Sequence, residues 1–169
     1  MQLGQLLPHP MKINLTICGV DELSGQERKG WSHVVSIWDK RYLGDETCRD
    51  LIMNVAPTAD HLFSFFEDTN DSSHPDAPRL RDVKRILAFT SELSARAKVL
   101  VHCRAGVSRS TAIAYAILCQ HSVPGMETAN LMHVESLRAV VYPNRLIIEL
   151  ADKVLKRNGG MLLHCPNEP

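Results

Sequence analysis

The chain has 169 residues, 44% of them apolar and 22% charged, which is enough to bury one full core and predicts a single globular unit. Its 19 Lys and Arg residues balance 19 Asp and Glu, so no global field favours nucleic acid or an anionic membrane, and any attraction for an anion has to be local. No run of about eighteen apolar residues occurs, and the first residues lack a basic start followed by an apolar stretch, so neither a membrane span nor a signal peptide is expected.

In chain order, residues 12–18 alternate polar and apolar side chains and predict a strand ended by Gly19. Residues 21–29 predict a short helix closed by Gly30, and 33–38, 50–55 and 61–66 predict three further strands. Trp31 and Trp38 flank the second of these strands and read as core rather than as a substrate platform. Between residues 80 and 95, Val83, Ile86, Leu87, Thr90 and Leu93 recur at helical intervals, leaving Arg81, Lys84, Arg85 and Glu92 for a solvated face. The last strand is 98–102, followed by a buried helix over 110–118 and by helices over 128–140 and 144–156, the last with a stripe from Ile147 to Leu155. The fold class is therefore α/β, with a central, mostly parallel sheet of about five strands flanked by helices. Residues 1–11 read as an N-terminal arm, 12–158 as the folded domain and 159–169 as a C-terminal tail.

The five cysteines, Cys18, Cys48, Cys103, Cys119 and Cys165, form no C-x-x-C pair, and an odd number makes a poor disulfide framework. A reducing, cytoplasmic setting fits this usage better. Neither His102-Cys103 nor His164-Cys165 has the spacing of a zinc site, so no metal is expected. Cys18, Cys48 and Cys119 sit among apolar neighbours and read as packing residues.

The most informative stretch is Val101-His102-Cys103-Arg104-Ala105-Gly106-Val107-Ser108-Arg109-Ser110. It joins the end of a predicted strand to the start of a predicted helix, where unpaired backbone N–H groups and the helix dipole favour an oxyanion. Ala105 and Gly106 let the backbone curl around that anion. The same field, with the Arg109 guanidinium, favours the thiolate of Cys103, and Arg109 offers a planar fork matched to two phosphoryl oxygens. Ser110 can donate its hydroxyl to the sulfur and ease its departure from a phosphocysteine. Residues 104–109 thus form the expected substrate cradle, with Cys103, Arg109 and Ser110 as reacting and stabilising groups.

This run resembles the Cys-x5-Arg-Ser/Thr signature of the cysteine-dependent protein tyrosine phosphatase superfamily. His102-Cys103, Ala105-Gly106 and Ser108-Arg109-Ser110 look most like its dual-specificity branch. The resemblance implies a phosphatase domain over 12–158, a phosphorylated protein as substrate, and no cofactor. It also implies a carboxylic acid on a loop facing the cradle. Glu67, Asp68, Asp71, Asp76 and Asp82 are candidates. Asp68, the first Asp after the 61–66 strand, matches the family's acid best, with Asp71 as the runner-up. His102 is expected to hydrogen-bond the loop backbone and fix it. Asn144, in Tyr142-Pro143-Asn144, matches the Pro-Asn that supports the phosphate loop in this family, and is equally readable as a plain helix cap.

Neither a Trp-Pro-Asp acid loop nor a tyrosine-bearing loop that would deepen the pocket is visible. A shallow pocket for phosphotyrosine, and also for phosphoserine and phosphothreonine, follows. Inside the loop only Arg104 is basic, which argues against highly charged lipid headgroups. A monomer is expected. Two rivals stand beside this reading: a rhodanese-type sulfurtransferase, which also uses a loop cysteine, and a phosphoprotein-binding pseudoenzyme that does not turn substrate over.

Overall fold

The computed structural model describes residues 13–165. The expected arm 1–11 and Lys12 lie outside them. Four strands form one wholly parallel sheet in the order β1-β4-β2-β3, with β1 at Asn14–Cys18, β2 at His33–Trp38, β3 at Asp60–Phe65 and β4 at Lys98–His102. Helices α1 (Glu46–Val55), α2 (Leu80–Phe89), α3 (Arg109–Gln120), α4 (Glu127–Leu137) and α5 (Arg145–Leu155) complete the α/β fold.

Because side chains alternate along a strand, the two faces of the sheet build two cores. Leu15, Ile17, Val35, Ile37, Val99 and Val101 face one way and pack with residues of α2, α3, α4 and α5. Cys18, Val34, Trp38 and Leu100 face the other way and pack with Leu23 and with Cys48, Ile52 and Val55 of α1. Every residue of α3 from Arg109 to Cys119 is buried, as befits a helix sandwiched between the sheet and its neighbours.

The expected strand at 50–55 is a helix, so the sheet has four strands and not about five. Asp45 caps α1 by accepting from the Thr47 N–H at 2.9 Å, and Cys48, Ile52 and Val55 recur at the i, i+4, i+7 spacing of a helical stripe. The expected helix at 21–29 is a 3₁₀ turn over Val20–Gln26, which ends where the Trp31 indole donates to the Gln26 carbonyl. The helix predicted to run to residue 95 stops at Phe89, because the Thr90 hydroxyl turns back onto the Ile86 carbonyl at 3.1 Å and onto Gln120. Helix α4 likewise ends at Leu137, where Arg138 turns extended.

Part of the segment expected to be a C-terminal tail belongs to the core. After α5 the chain turns through Lys156 in the left-handed conformation. The Asp152 carboxylate then accepts from the N–H groups of Gly159 (2.8 Å) and Met161 (3.1 Å). Met161 is fully buried, and the Tyr115 hydroxyl donates to its carbonyl. Arg157 ties the same turn to Glu127 and to the Cys119 and Ser122 carbonyls that end α3. Met161→Ala is therefore expected to cost about 2–4 kcal/mol, the range for emptying a buried methionine site. Urea unfolding checks this, and a loss below about 1 kcal/mol would show that the segment only covers the domain.

Candidate active site

In a parallel sheet all strands end at the same edge, and the loops there form the crevice where ligands bind. The residues just past the four strands are Gly19, Asp39, Phe66 and Cys103. All four take part in one cluster.

Cys103, only 2% exposed, begins the loop between β4 and α3. The loop is pressed against the end of β1. Gly106 has φ +71, and a Cβ on it would lie 2.6 Å from the Cys18 carbonyl carbon and the Gly19 nitrogen. A side chain at Gly19 would in turn lie 3.0 Å from the Ala105 backbone. At Gly106 only glycine permits this approach, and at Gly19 a side chain would need the facing backbone to give by a few tenths of an ångström.

The carbonyls of the loop are taken by its surroundings. The Arg104 carbonyl accepts from Val20 N–H (2.9 Å), and that of Ala105 from the Arg138 guanidinium (3.4 Å). The Val107 carbonyl accepts from Tyr142 N–H and the Thr111 hydroxyl, and that of Ser108 from Asn144 N–H. The backbone N–H groups of residues 104–108 donate to no described residue. They remain available to an oxyanion at the N-terminus of α3.

Ser110 Oγ lies 3.1 Å from Cys103 Sγ, inside the buried first turn of α3. Arg109 is 3% exposed. Its Nη1 donates to the Phe66 carbonyl and its Nη2 to Asp39 Oδ1, both at 2.7 Å. Its Nε is buried with no hydrogen-bond partner among the described residues. Arg104, by contrast, is largely exposed and rests 3.7 Å from Asp39 Oδ2. A hollow of 230 Å³ opens beside the loop, lined by Val20, Asp21, Trp38, Asp39, Tyr42 and Arg104. Trp38 is thus both core and part of a pocket wall.

Asp68 comes to the mouth of the loop. Its Oδ1 accepts from the Ser108 hydroxyl (2.7 Å) and from the Asn144 amide (2.9 Å), and its Oδ2 stands 3.9 Å from Arg109 Nε. The carboxylate is 39% exposed, open to a bound molecule. Asp71 closes its own turn instead, accepting from the Ser73 N–H and hydroxyl, which hold its carboxyl below the usual carboxylate range. Glu67 and Asp82 are also occupied elsewhere, on the N–H groups of Lys40 and Arg79.

Asn144 is at once a cap and a tie. Its Oδ1 accepts from Ile147 N–H at the start of α5, while its Nδ2 holds Asp68 Oδ1 and the Thr69 carbonyl. His102 departs from expectation. Its ring is fully buried edge-on to Trp38 with centroids 5.2 Å apart, and neither nitrogen makes a hydrogen bond of good geometry. Burial, aided by the Arg109 charge, pushes its pKa down to about 4 against the pull of the facing Cys103 backbone. The ring is packed against Trp38 as a neutral group. Asp39 is absent from the sequence-derived set. The signal that finds it is topological: an acid directly after a buried strand, at the edge where the cysteine loop sits.

All five cysteines are free and buried. Among the described residues no cluster of three or more His, Cys, Asp or Glu side chains could hold a metal ion, and no helix is long and apolar enough to cross a membrane.

No family model matches the sequence. The chain is 36% identical over 116 residues to the tyrosine-protein phosphatase yvh1 of Schizosaccharomyces pombe, a match covering 67% of this chain and 33% of that protein. It is 34% identical over 97 residues to protein phosphatase Slingshot homolog 3 of Rattus norvegicus, covering 55% of this chain and 15% of that one. The chain therefore matches a third or less of each of these relatives. In structure it is similar to human DUSP28, with a TM-score of 0.61 at 20% identity over 89% of this chain and 95% of that one, which shows a shared fold.

The neutral His102 has a consequence for stability. An unfolded histidine takes up its proton near pH 6.5 and the folded one only near 4, so its contribution is fully present above pH 6.5 and is lost as pH falls toward 4. The loss is at most about 3 kcal/mol. His102→Phe is expected to flatten that part of the stability-versus-pH curve measured by urea unfolding. Equal slopes for both proteins would place the acid sensitivity elsewhere.

Proposed function

Because the chain belongs to the cysteine-dependent protein tyrosine phosphatase superfamily, on its dual-specificity-like branch, we propose that it hydrolyses phosphate monoesters on phosphorylated proteins. Phosphotyrosine is the expected substrate, with phosphoserine and phosphothreonine admitted by a shallow pocket. The observation that carries the reading is the buried thiol of Cys103 within a loop whose N–H groups are unpaired and whose following arginine is buried beside it.

In the proposed sequence the phosphoryl group rests on the N–H groups of residues 104–108 and on Arg109. The Cys103 thiolate attacks phosphorus in line with the leaving oxygen, the P–O bond breaks, and Asp68 gives that oxygen its proton. The sulfur now carries the phosphoryl group. Asp68, ionised by the first step, takes a proton from water, whose oxygen attacks phosphorus. The S–P bond breaks with Ser110 donating to the departing sulfur, and inorganic phosphate leaves. The contacts of Asp68 with Ser108 and Asn144 support it as the acid over Asp71, whose carboxylate is engaged by Ser73.

His102 and Asn144 act as supports, and the chemistry calls for no metal or cofactor. We further propose a monomer in a reducing, cytoplasmic setting, supported by five free, buried cysteines, with the phosphatase domain continuing past residue 158 through the packed turn at Met161. A sulfurtransferase has no use for an acid held over the loop, and a phosphate-binding pseudoenzyme has none for the thiol and hydroxyl paired at 3.1 Å.

Cys103→Ser is expected to abolish turnover of phosphopeptides while keeping affinity for tungstate, because the cradle and Arg109 remain and only the ionisable nucleophile is gone. Near-normal turnover would end the phosphocysteine mechanism. Asp68→Asn is expected to lose roughly 10²–10⁴-fold on phosphopeptides, much less on an aryl phosphate with a strongly acidic phenol, since that leaving group departs without a proton. If Asp71→Asn carries this leaving-group dependence instead, the acid is Asp71.

A further inference from the structure

We infer that Arg79 is a positioning residue for Asp68, clasping from behind the irregular loop that presents this carboxylate to the cysteine loop. The inference rests on the reading of Asp68 as the proton donor of a phosphatase. The segment between β3 and α2 contains neither helix nor strand, so its peptide groups have no ladder to join and must find partners one by one. Its neck is closed by the Glu67 N–H, which donates to the Asp76 carbonyl at 2.8 Å. Its front is held by Ser108 and Asn144, and by the Leu146 N–H, which donates to Asn70 Oδ1 at 3.1 Å. Across its rear reaches the side chain of Arg79. Nη1 donates to the Ser72 carbonyl at 2.7 Å, and Nη2 to the carbonyls of His74 (2.8 Å) and Pro75 (3.4 Å).

Arg79 can act as a clasp because its own backbone is fixed. Its N–H donates to Asp82 Oδ2 at 2.8 Å, and its carbonyl accepts from the N–H groups of Asp82 (2.9 Å) and Val83 (3.3 Å). The helix that these bonds start is seated in the core through Val83, Ile86 and Leu87. Among the described residues the guanidinium meets no carboxylate, and the donors are spent on loop carbonyls. Three acceptors on one planar fork fix the rear of the loop in both place and orientation. From there the bonds run forward. His74 N–H donates to the Asp71 carbonyl and Asp71 N–H to Thr69 Oγ1, each at 3.1 Å, and Thr69 directly follows Asp68.

The chemistry of the leaving group separates positioning from general support. A loop loosened at its rear leaves Asp68 out of reach for part of the time, which costs rate only where the departing oxygen needs a proton. Damage to the fold or to the cysteine loop costs rate on every ester alike. Charge is separated by the conservative change: Arg79→Lys keeps the positive charge, but an ammonium cannot span three carbonyls as a planar fork does.

The test uses the full chain and two aryl phosphates, one releasing a strongly acidic phenol and one a weakly acidic phenol. Arg79→Met is expected to lower kcat about tenfold on the second and less than twofold on the first, and Arg79→Lys to follow it. In an Asp68→Asn background Arg79→Met is expected to add no further loss, because it acts through the group already removed. Unchanged rates on both esters, or equal losses on both, overturn the proposal. So does a loss that persists undiminished beside Asp68→Asn, or an Arg79→Lys variant with the parent's rates. Should Arg79→Met fail to fold, Arg79→Lys decides by the same comparison: a loss confined to the weakly acidic phenol supports the proposal, and any other result overturns it. A parent chain that hydrolyses neither ester ends the phosphatase reading and this inference with it. A parent that hydrolyses both, with the leaving-group dependence present in Asp68→Asn and absent in the Arg79 variants, ends this inference alone.

Discussion

A guanidinium buried to the depth of Arg109 has to be met by acceptors on several sides, since its desolvation is offset only where its N–H groups find partners. The sheet supplies them through its register. Strands β2 and β3 pair in parallel with Trp38 opposite Phe65, so the residues that follow, Asp39 and Phe66, emerge side by side. Phe66 N–H donates to the Trp38 carbonyl and keeps them so. The carboxylate of one and the carbonyl of the other then reach the same side chain from neighbouring strand ends. Slipping β3 by one residue would turn its side chains to the opposite face and also carry the Phe66 carbonyl away from Arg109.

The other half of the sheet works on the backbone of the loop. Cys18 pairs with His102, so β1 and β4 end level and the chain turning after Cys103 runs directly over Gly19. The contact is so close that Gly106 has no room for a Cβ, and one at Gly19 would meet the Ala105 backbone at 3.0 Å. Pressing the loop outward onto β1, Arg138, Tyr142 and Asn144 takes up its carbonyls from behind. A peptide unit whose oxygen points out directs its N–H inward, so the unpaired donors follow from what surrounds the loop as much as from its small residues. His102 adds no charge here, because burial keeps it neutral. The positive character of the loop comes from the helix end and from the arginines in and around it, Arg104, Arg109 and Arg138.

Much of this was legible in the sequence where the signal is local. The strand–loop–helix passage from Lys98 to Gln120 follows from an apolar run, small residues and a second apolar run, and the elements lie there within a residue or two of expectation. The strand expected at 50–55 shows how a local signal misleads. Asp50-Leu51-Ile52-Met53-Asn54-Val55 is too short a window to separate a strand from the last turns of a helix. Asp45 with Thr47, upstream of that window, is the start signal that decides it. The packed turn at Met161 was illegible for a different reason. Gly159-Gly160 and Pro166 read as chain-end loop residues, and the acceptor that orders the turn, Asp152, lies a full helical turn back inside α5. Asp39 had no local signal at all, since only strand order brings it to Arg109.

Asn144 carries the point furthest, because the cap it makes on α5 and its tie to Asp68 are one arrangement. An amide has separate donor and acceptor ends. The acceptor end closes the first turn of α5 and thereby sets the direction of the donor end, which holds Asp68 and the Thr69 carbonyl. The backbone N–H of the same residue holds the Ser108 carbonyl, and Ser108 in turn donates its hydroxyl to Asp68. Loop, Asp68 and helix start thus form a closed ring of hydrogen bonds, in which no member can move without breaking a bond made by another. The segment carrying Asp68 comes from a polar loop with no regular structure of its own, and this ring ties it to the cysteine loop and to α5. An aspartate is an accurate substitute for such an asparagine in capping α5, but it has no N–H to offer Asp68 and would set two carboxylates against each other. The cap alone does not require asparagine at 144; the hydrogen bond to Asp68 does.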